Sequence, residues 1–325
     1  MSNSEIKRQL PKTLTGFGKT FARTLTAGTV LCAMASTTLA QDVPESDDPI
    51  RVALHEWTGG VFSAELVVRI LGEMGYNAET IPIDASGIYP ALAAGDVTLD
   101  VETWTSVHPE IFPLIDDGSV NNIGVTGLVG MDRWWFPSYV VEDCPGLPNY
   151  EALNDCAALF STVDTGDKGR LLLYSADWGG NDDERVESLG LNFEIVRVGS
   201  EAALLAEVQS AVQREAPVLA WLYEPHWAPV QFDGAYVELP PYTEECAASG
   251  LFNCEKPTGD IIKISWPGME EKWPGAYAAL QAFSLTNEEY GAVIAEADLN
   301  GVPVEELVDI WMAENEDRWM AWISQ

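Results

Sequence analysis

The residues best equipped to do chemistry in this chain are aromatic: Trp57, Trp104, Trp178 and Tyr223. Three of them close an expected strand, and Trp178 stands in an Asp177-Trp178-Gly179-Gly180 loop just before an expected helix. An aromatic box with no lysine nearby attracts a bulky, poorly hydrated cation. Ring faces are negative, a quaternary ammonium has no N–H to satisfy, and each desolvated contact is worth roughly 2 kcal/mol, with Trp the best partner. A counter-feature is present. Gly179-Gly180-Asn181 precedes a helix, so its backbone N–H groups are placed to hold a carboxylate. His108, four residues after Trp104, is placed to donate to the same oxygen. A cation at one end and a carboxylate at the other describe a betaine.

These positions depend on the elements that carry them. Arg51 to Trp57 reads as a strand. Phe62, Leu66, Val67, Ile70, Leu71 and Met74 recur at helical spacing, with Gly75 where a helix-ending glycine belongs. Asn77 to Ile83 reads as a second strand, Ile88 to Ala94 as a short helix ended by Gly95, and Val97 to Trp104 as a third strand. The rhythm returns with a strand at Ala157 to Thr162, a helix at Asp182 to Leu189 and a strand at Phe193 to Val198. A helix at Ser200 to Glu215 and a strand at Val218 to Tyr223 complete it. In open α/β sheets ligands bind beyond the carboxyl ends of the strands, so aromatics from both units point toward one cleft.

The expected fold is α/β, with two lobes, each an open, mostly parallel sheet flanked by helices. No long linker separates them, so the chain is expected to cross near Met131–Phe136 and near Lys256–Ile262. That makes one lobe of residues 42–132 with 258–325 and another of 133–257. Trp134 and Trp135 fall near the first crossing, and Trp135 is a further candidate wall of the cage. The last third is helical. Thr286 with Glu289 forms a capping-box pattern, and helical spacing explains Trp311, Trp319 and Trp322 as core.

Residues 1–40 read as an export signal. Lys7, Arg8, Lys12, Lys19 and Arg23 stand against one acid, then an apolar stretch ends at Thr38-Leu39-Ala40. A retained signal-anchor is the alternative. Leu31 before Cys32 argues against lipoprotein cleavage there. Beyond Ala40 no apolar run reaches the roughly 20 residues needed to span a bilayer. Four cysteines remain in an exported chain, which points to disulfides. Three pairings are open, and the two local ones, Cys144–Cys156 and Cys246–Cys254, are preferred. A zinc site fits poorly, since no His lies near either pair. A net charge of −34 excludes nucleic acid as a partner, because phosphates need a basic patch.

Other classes have less support. There is no Gly-x-Ser-x-Gly elbow, no His-Glu-x-x-His and no phosphate loop, so an exported enzyme is disfavoured. No cofactor is expected. Asp164 and Asp167 within Thr162–Gly169 resemble a shortened calcium loop without the EF-hand spacing, which leaves a structural calcium ion weakly supported. Sugars also stack on Trp, so a carbohydrate receptor is a third reading.

The motifs together resemble the substrate-binding proteins of glycine betaine/proline betaine ABC importers, across essentially all of the chain after the signal. The residues that carry the likeness are Trp104-Thr105-Ser106-Val107-His108, Trp178-Gly179-Gly180, Tyr223-Glu224-Pro225-His226-Trp227 and a tail near Trp319-Met320-Ala321-Trp322. The resemblance implies a two-lobed type II periplasmic-binding fold and a monomeric periplasmic receptor serving a membrane permease and its ATPase. Trp104 and Trp178 would be cage walls, with His108, Gly179 and Gly180 at the ligand's anionic end. Tyr223 stands where a third cage Trp is common, and Trp57 or Trp135 would make up the wall. The family also includes receptors for choline, trimethylamine N-oxide and dimethylsulfoniopropionate. For an N-oxide, Glu56, Glu102 or Glu224, protonated or bridged by water, would meet the oxygen.

Overall fold

The computed structural model describes residues 43–324. The expected signal, residues 1–40, lies outside the described residues. Strands β1 (Ile50–Leu54), β2 (Ala78–Pro82), β3 (Leu99–Trp104) and β10 (Gly259–Ser265) build one half of a mixed sheet. Strands β6 (Gly169–Leu173), β7 (Phe193–Arg197), β8 (Leu219–Glu224) and β9 (Gly234–Tyr236) build the other. The long strand β4 (Asn121–Pro137) belongs to both. It pairs antiparallel with β10 as far as Gly130, and with β8 from Met131 onward. A short strand, β5 (Pro145–Pro148), lies off the main sheet. The order β2-β1-β3-β10-β4-β8-β6-β7 places parallel strands on each flank and antiparallel ones at the join.

Helices cover the flanks. Helix α1 (Thr58–Glu73) turns Phe62, Leu66, Val67, Ile70 and Leu71 into the core, as their spacing requires. Helix α2 (Ala85–Ala94) ends at Gly95, whose left-handed φ of 80° suits only a residue without Cβ. In the second half lie α3 (Asp182–Ser188) and α4 (Glu201–Gln213), the latter opened by Ser200, which accepts from the Ala203 amide. Four helices finish the chain: α5 (Pro274–Ala282), α6 (Asn287–Asn300), α7 (Val304–Glu314) and α8 (Glu316–Ile323). The Thr286/Glu289 capping box opens α6. Trp311, Trp319 and Trp322 are buried, and Trp311 stacks on Trp322 with centroids 5.9 Å apart. Both local disulfides are present, with Cα separations of 5.6 Å for Cys144–Cys156 and 6.4 Å for Cys246–Cys254.

Two expectations are corrected. Ala157–Phe160 is a 3₁₀ turn, and the strand lies further on, at Gly169–Leu173. The disulfide holds Cys156 one residue before that turn, which packs Ala157 and Phe160 inward without extending the chain. Strand β1 stops at Leu54, so Trp57 reaches the cleft as the residue that precedes α1. In Thr162–Gly169 the Thr165 hydroxyl accepts from the Thr162 amide and donates to the Lys168 carbonyl, while Asp164 and Asp167 are exposed. Among the described residues no group of three or more His, Cys, Asp or Glu is placed to hold a metal ion.

Candidate functional site

Where the two halves meet, six Trp and Tyr rings line a cavity of about 540 Å³, its open mouth included: Trp57, Tyr89, Trp104, Trp178, Trp221 and Tyr223. Five of them form a continuous wall, and Tyr89 lies edge-on to His108. Trp57 lies edge-on to Trp178 (centroids 5.0 Å apart), Trp178 neighbours Trp221 (6.3 Å), Trp221 neighbours Tyr223 (5.6 Å), and Tyr223 meets Trp104 edge-on (5.3 Å). One half supplies Trp57, Tyr89 and Trp104, the other Trp178, Trp221 and Tyr223. Offset and edge contacts of this kind fix each ring against its neighbours.

The elements explain the placement. Trp104 ends β3, and its ring lies against Gly130, where a Cβ would come within 2.6 Å of it. Trp221 and Tyr223 are two residues apart on β8 and therefore share a face. Trp178 closes a 3₁₀ turn (Ala176–Trp178) that exits through Gly179 at φ 77°, ψ −154°, a region open almost only to glycine. A Cβ at Gly179 would also meet the His108 ring at 3.1 Å.

Carboxylates stand behind the rings. Glu102, 1% exposed, accepts from the Trp57 indole (2.7 Å), the Tyr290 hydroxyl (2.9 Å) and the Ser63 hydroxyl (2.6 Å). Burial pushes its carboxyl above the usual range despite those donors. Asp132 accepts from the Trp221 indole (2.8 Å) and pairs with Lys256, which also reaches Asp182 at 2.9 Å. A carboxylate at the N–H edge of an indole fixes the ring and drives electron density toward its face, which strengthens its hold on a cation. Asp100 accepts from Thr103 and bonds His55 Nε2 at 2.8 Å. Burial opposes charge on both partners, but each more than offsets that for the other: Asp100 is held below its usual range and His55 above it.

The candidates from the sequence divide. Trp57, Trp104, Trp178, Tyr223, His108 and Glu102 all line the cavity. His108 is engaged with Glu110 through Nδ1 (2.9 Å). Trp135 does not line it: it is 1% exposed, packed over Gly234 and near Phe232 (6.3 Å), because alternation along β4 turns it away from the face Asp132 and Trp134 share. Glu224 lies outside as well and accepts from the Tyr236 hydroxyl at 3.1 Å. Gly179 and Gly180 sit beside the cavity, against His108 and Lys256, not in its lining. Glu56 is exposed and lines a separate, neighbouring depression with Asp84 and Asp177. Sequence reasoning missed Trp221, Tyr89, Asp100, Asp132 and His55, all of which line the cavity. The signal for Trp221 was available, since it stands two residues before Tyr223 on the same strand.

Residues 48–314 match the model for the substrate-binding domain of ABC-type glycine betaine transport systems. The chain is 30% identical over 288 residues to the trimethylamine N-oxide-binding protein of Pelagibacter ubique, covering 85% of this chain and 90% of that protein. The fold is similar to lactococcal OpuAC in its closed, glycine betaine-bound conformation (TM-score 0.67, 18% identity, 85% of this chain and 100% of that one). It is also similar to an ABC-transporter choline-binding protein in complex with choline (TM-score 0.70, 18% identity, 86% and 93%). The chain belongs to the glycine betaine-type substrate-binding family, whose members are receptors of ABC importers and not enzymes.

Proposed function

We propose that this receptor takes trimethylamine N-oxide in preference to a carboxylated betaine, in the periplasm, as a monomer that delivers to an ABC permease and its ATPase. The observation that carries the reading is the charge balance of the lining. Three buried acids, Asp100, Glu102 and Asp132, face the aromatic cage. The basic side chains of the lining are His55 and His108, and each is already paired with an acid. A trimethylammonium head suits such a site, while a full carboxylate brings like charge into it. An N-oxide oxygen asks for only one or two donors. Trp104 Nε1 and His55 Nδ1 are buried lining atoms without partners among the described residues, and Asp100 raises the His55 pKa above its usual value, which favours the form with a second N–H to give. The 30% identity to a trimethylamine N-oxide-binding protein supports the same ligand.

Choline is the second reading. Asp132 Oδ1 is buried with no donor among the described residues, and a choline hydroxyl would supply one. Calorimetric titration with trimethylamine N-oxide, glycine betaine, choline and dimethylsulfoniopropionate in one buffer separates these. Trimethylamine N-oxide is expected to bind at least tenfold tighter than glycine betaine. Glycine betaine binding tightest would restore a carboxylate site near His108 and Gly179–Gly180 and defeat the charge argument.

A further inference from the structure

Helix α1 begins without a cap of its own. Its N-cap residue, Trp57, makes no side-chain cap bond, and its first turn holds no acid. Sixteen residues of aligned peptide dipoles thus end at open N–H groups, a position that favours an anion. The acceptor comes from the other half of the molecule. Glu201, at the start of α4 and 5% exposed, accepts from the Thr58 amide at 2.9 Å. Its other oxygen accepts from the hydroxyl of the cage wall Tyr223 at 2.6 Å. The same carboxylate therefore ties the residue after one cage wall, Trp57, to a wall from the opposite half. A second pair of bonds runs parallel to it: Asp298 accepts from the Thr58 hydroxyl (2.8 Å) and from the Trp227 indole (2.8 Å).

We infer that Glu201 is a closure latch, a positioning residue that caps α1 across the cleft only when the two halves are together. The inference rests on the reading of this protein as a receptor that closes on its ligand. His226 lies between the two acids, with Nε2 3.7 Å from Glu201 and 3.5 Å from Asp298, and its Nδ1 accepts from the Ala228 amide. Opening the halves separates Thr58 from Glu201, so the bond adds to the closed state and slows ligand release. The two accepted hydrogen bonds carry the latch; burial works against the charged form and raises the Glu201 carboxyl above its usual range.

The test compares wild type with Glu201→Ala, Glu201→Gln and Thr58→Pro. Proline at the first helical position leaves α1 intact, because that N–H has no partner within the helix, yet it removes the latch donor. With trimethylamine N-oxide as probe, Glu201→Ala and Thr58→Pro are expected to release ligand about tenfold faster, with association little changed. Glu201→Gln keeps an acceptor for Thr58 and should stay within about threefold of wild type, in the range of a neutral hydrogen bond retained. The ligand-free melting temperature should not move, whereas a merely structural role would lower it. Release rates equal to wild type in both Glu201→Ala and Thr58→Pro overturn the latch, as does a large loss of ligand-free stability in Glu201→Ala. If trimethylamine N-oxide does not bind wild type, the functional reading fails alone. The latch is then read in the protein saturated with whichever of glycine betaine, choline or dimethylsulfoniopropionate binds, from hydrogen exchange at the Thr58 amide, where equal rates in wild type and Glu201→Ala would refute it.

Discussion

Among single residues, Trp221 joins the two walls of the cage, Trp57–Trp178 and Tyr223–Trp104, and its indole is fixed by Asp132. Replacing it with Ala removes one face of the cage and leaves the Asp132 carboxylate with Lys256 as its remaining partner. Trp221→Ala is expected to weaken ligand binding by roughly 1–3 kcal/mol, the range for losing one stacked, desolvated face. Trp221→Phe should recover part of it. Titration of both variants checks this, and near-normal affinity in Trp221→Ala would remove the ring from the site. The sequence made Trp104 and Tyr223 legible because strand ends point into the cleft, and Trp178 because a Gly-Gly turn follows it. Trp221 escaped because it lies inside the strand, where an aromatic residue reads as core; counting back two residues from Tyr223 recovers it. The free amides of Gly179 and Gly180 suggest a place in the site, but the positive-φ turn they make carries the chain toward His108 and Lys256.

At the level of secondary structure, the two parallel units were readable from period and punctuation, and the antiparallel join was not. Strands β4 and β10 appeared in the sequence only as places where the chain crosses, since Gly124, Gly127 and Gly130 interrupt the alternation of β4. One residue shows how the join is secured. Lys263 on β10 is fully buried, and its ammonium donates to the Val125 carbonyl on β4 (2.7 Å) and to the Phe283 carbonyl at the end of α5 (2.6 Å). With no carboxylate among its partners, burial drives its pKa down to about 8 from 10.5. The unfolded chain therefore binds this proton up to about 10.5, and the folded one releases it near about 8. Between those values the unfolded state holds more protons, so the residue's contribution to stability rises with pH. The burden of the charge is greatest below that window. Neutral Lys263 still donates both bonds. Urea unfolding of wild type and Lys263→Met from pH 7 to 9.5 should show the gap moving in favour of wild type by about 1–2 kcal/mol. A gap independent of pH would mean that the ammonium finds compensation within the fold.

The property of the whole molecule that reaches furthest is charge. With 51 acids against 17 lysines and arginines, most carboxylates have no cation of their own. Several cations are spent at the surface in ordinary pairs such as Arg170–Glu207 and Arg69–Asp309. Lys256 is divided between two buried acids, and Glu201 and Asp298, from opposite halves, flank one histidine. Self-repulsion on this scale destabilises the compact state, and salt relieves it. The Debye length falls from about 30 Å at 0.01 M to about 8 Å at 0.15 M and 3 Å at 1 M, so most of the relief comes early. The melting temperature is therefore expected to climb by several degrees between ~0.01 M and ~0.2 M NaCl at fixed pH, then flatten as the screening length drops below the spacing of surface charges. KCl at equal ionic strength should give the same curve, because screening does not distinguish the cations. A flat profile in both salts would show that the acids are spaced widely enough for water alone to separate them. A rise produced instead by calcium far below the ionic strength needed for screening would point to a bound ion, and the Asp164 and Asp167 side chains of the Thr162–Gly169 turn are where replacement by Asn should abolish it.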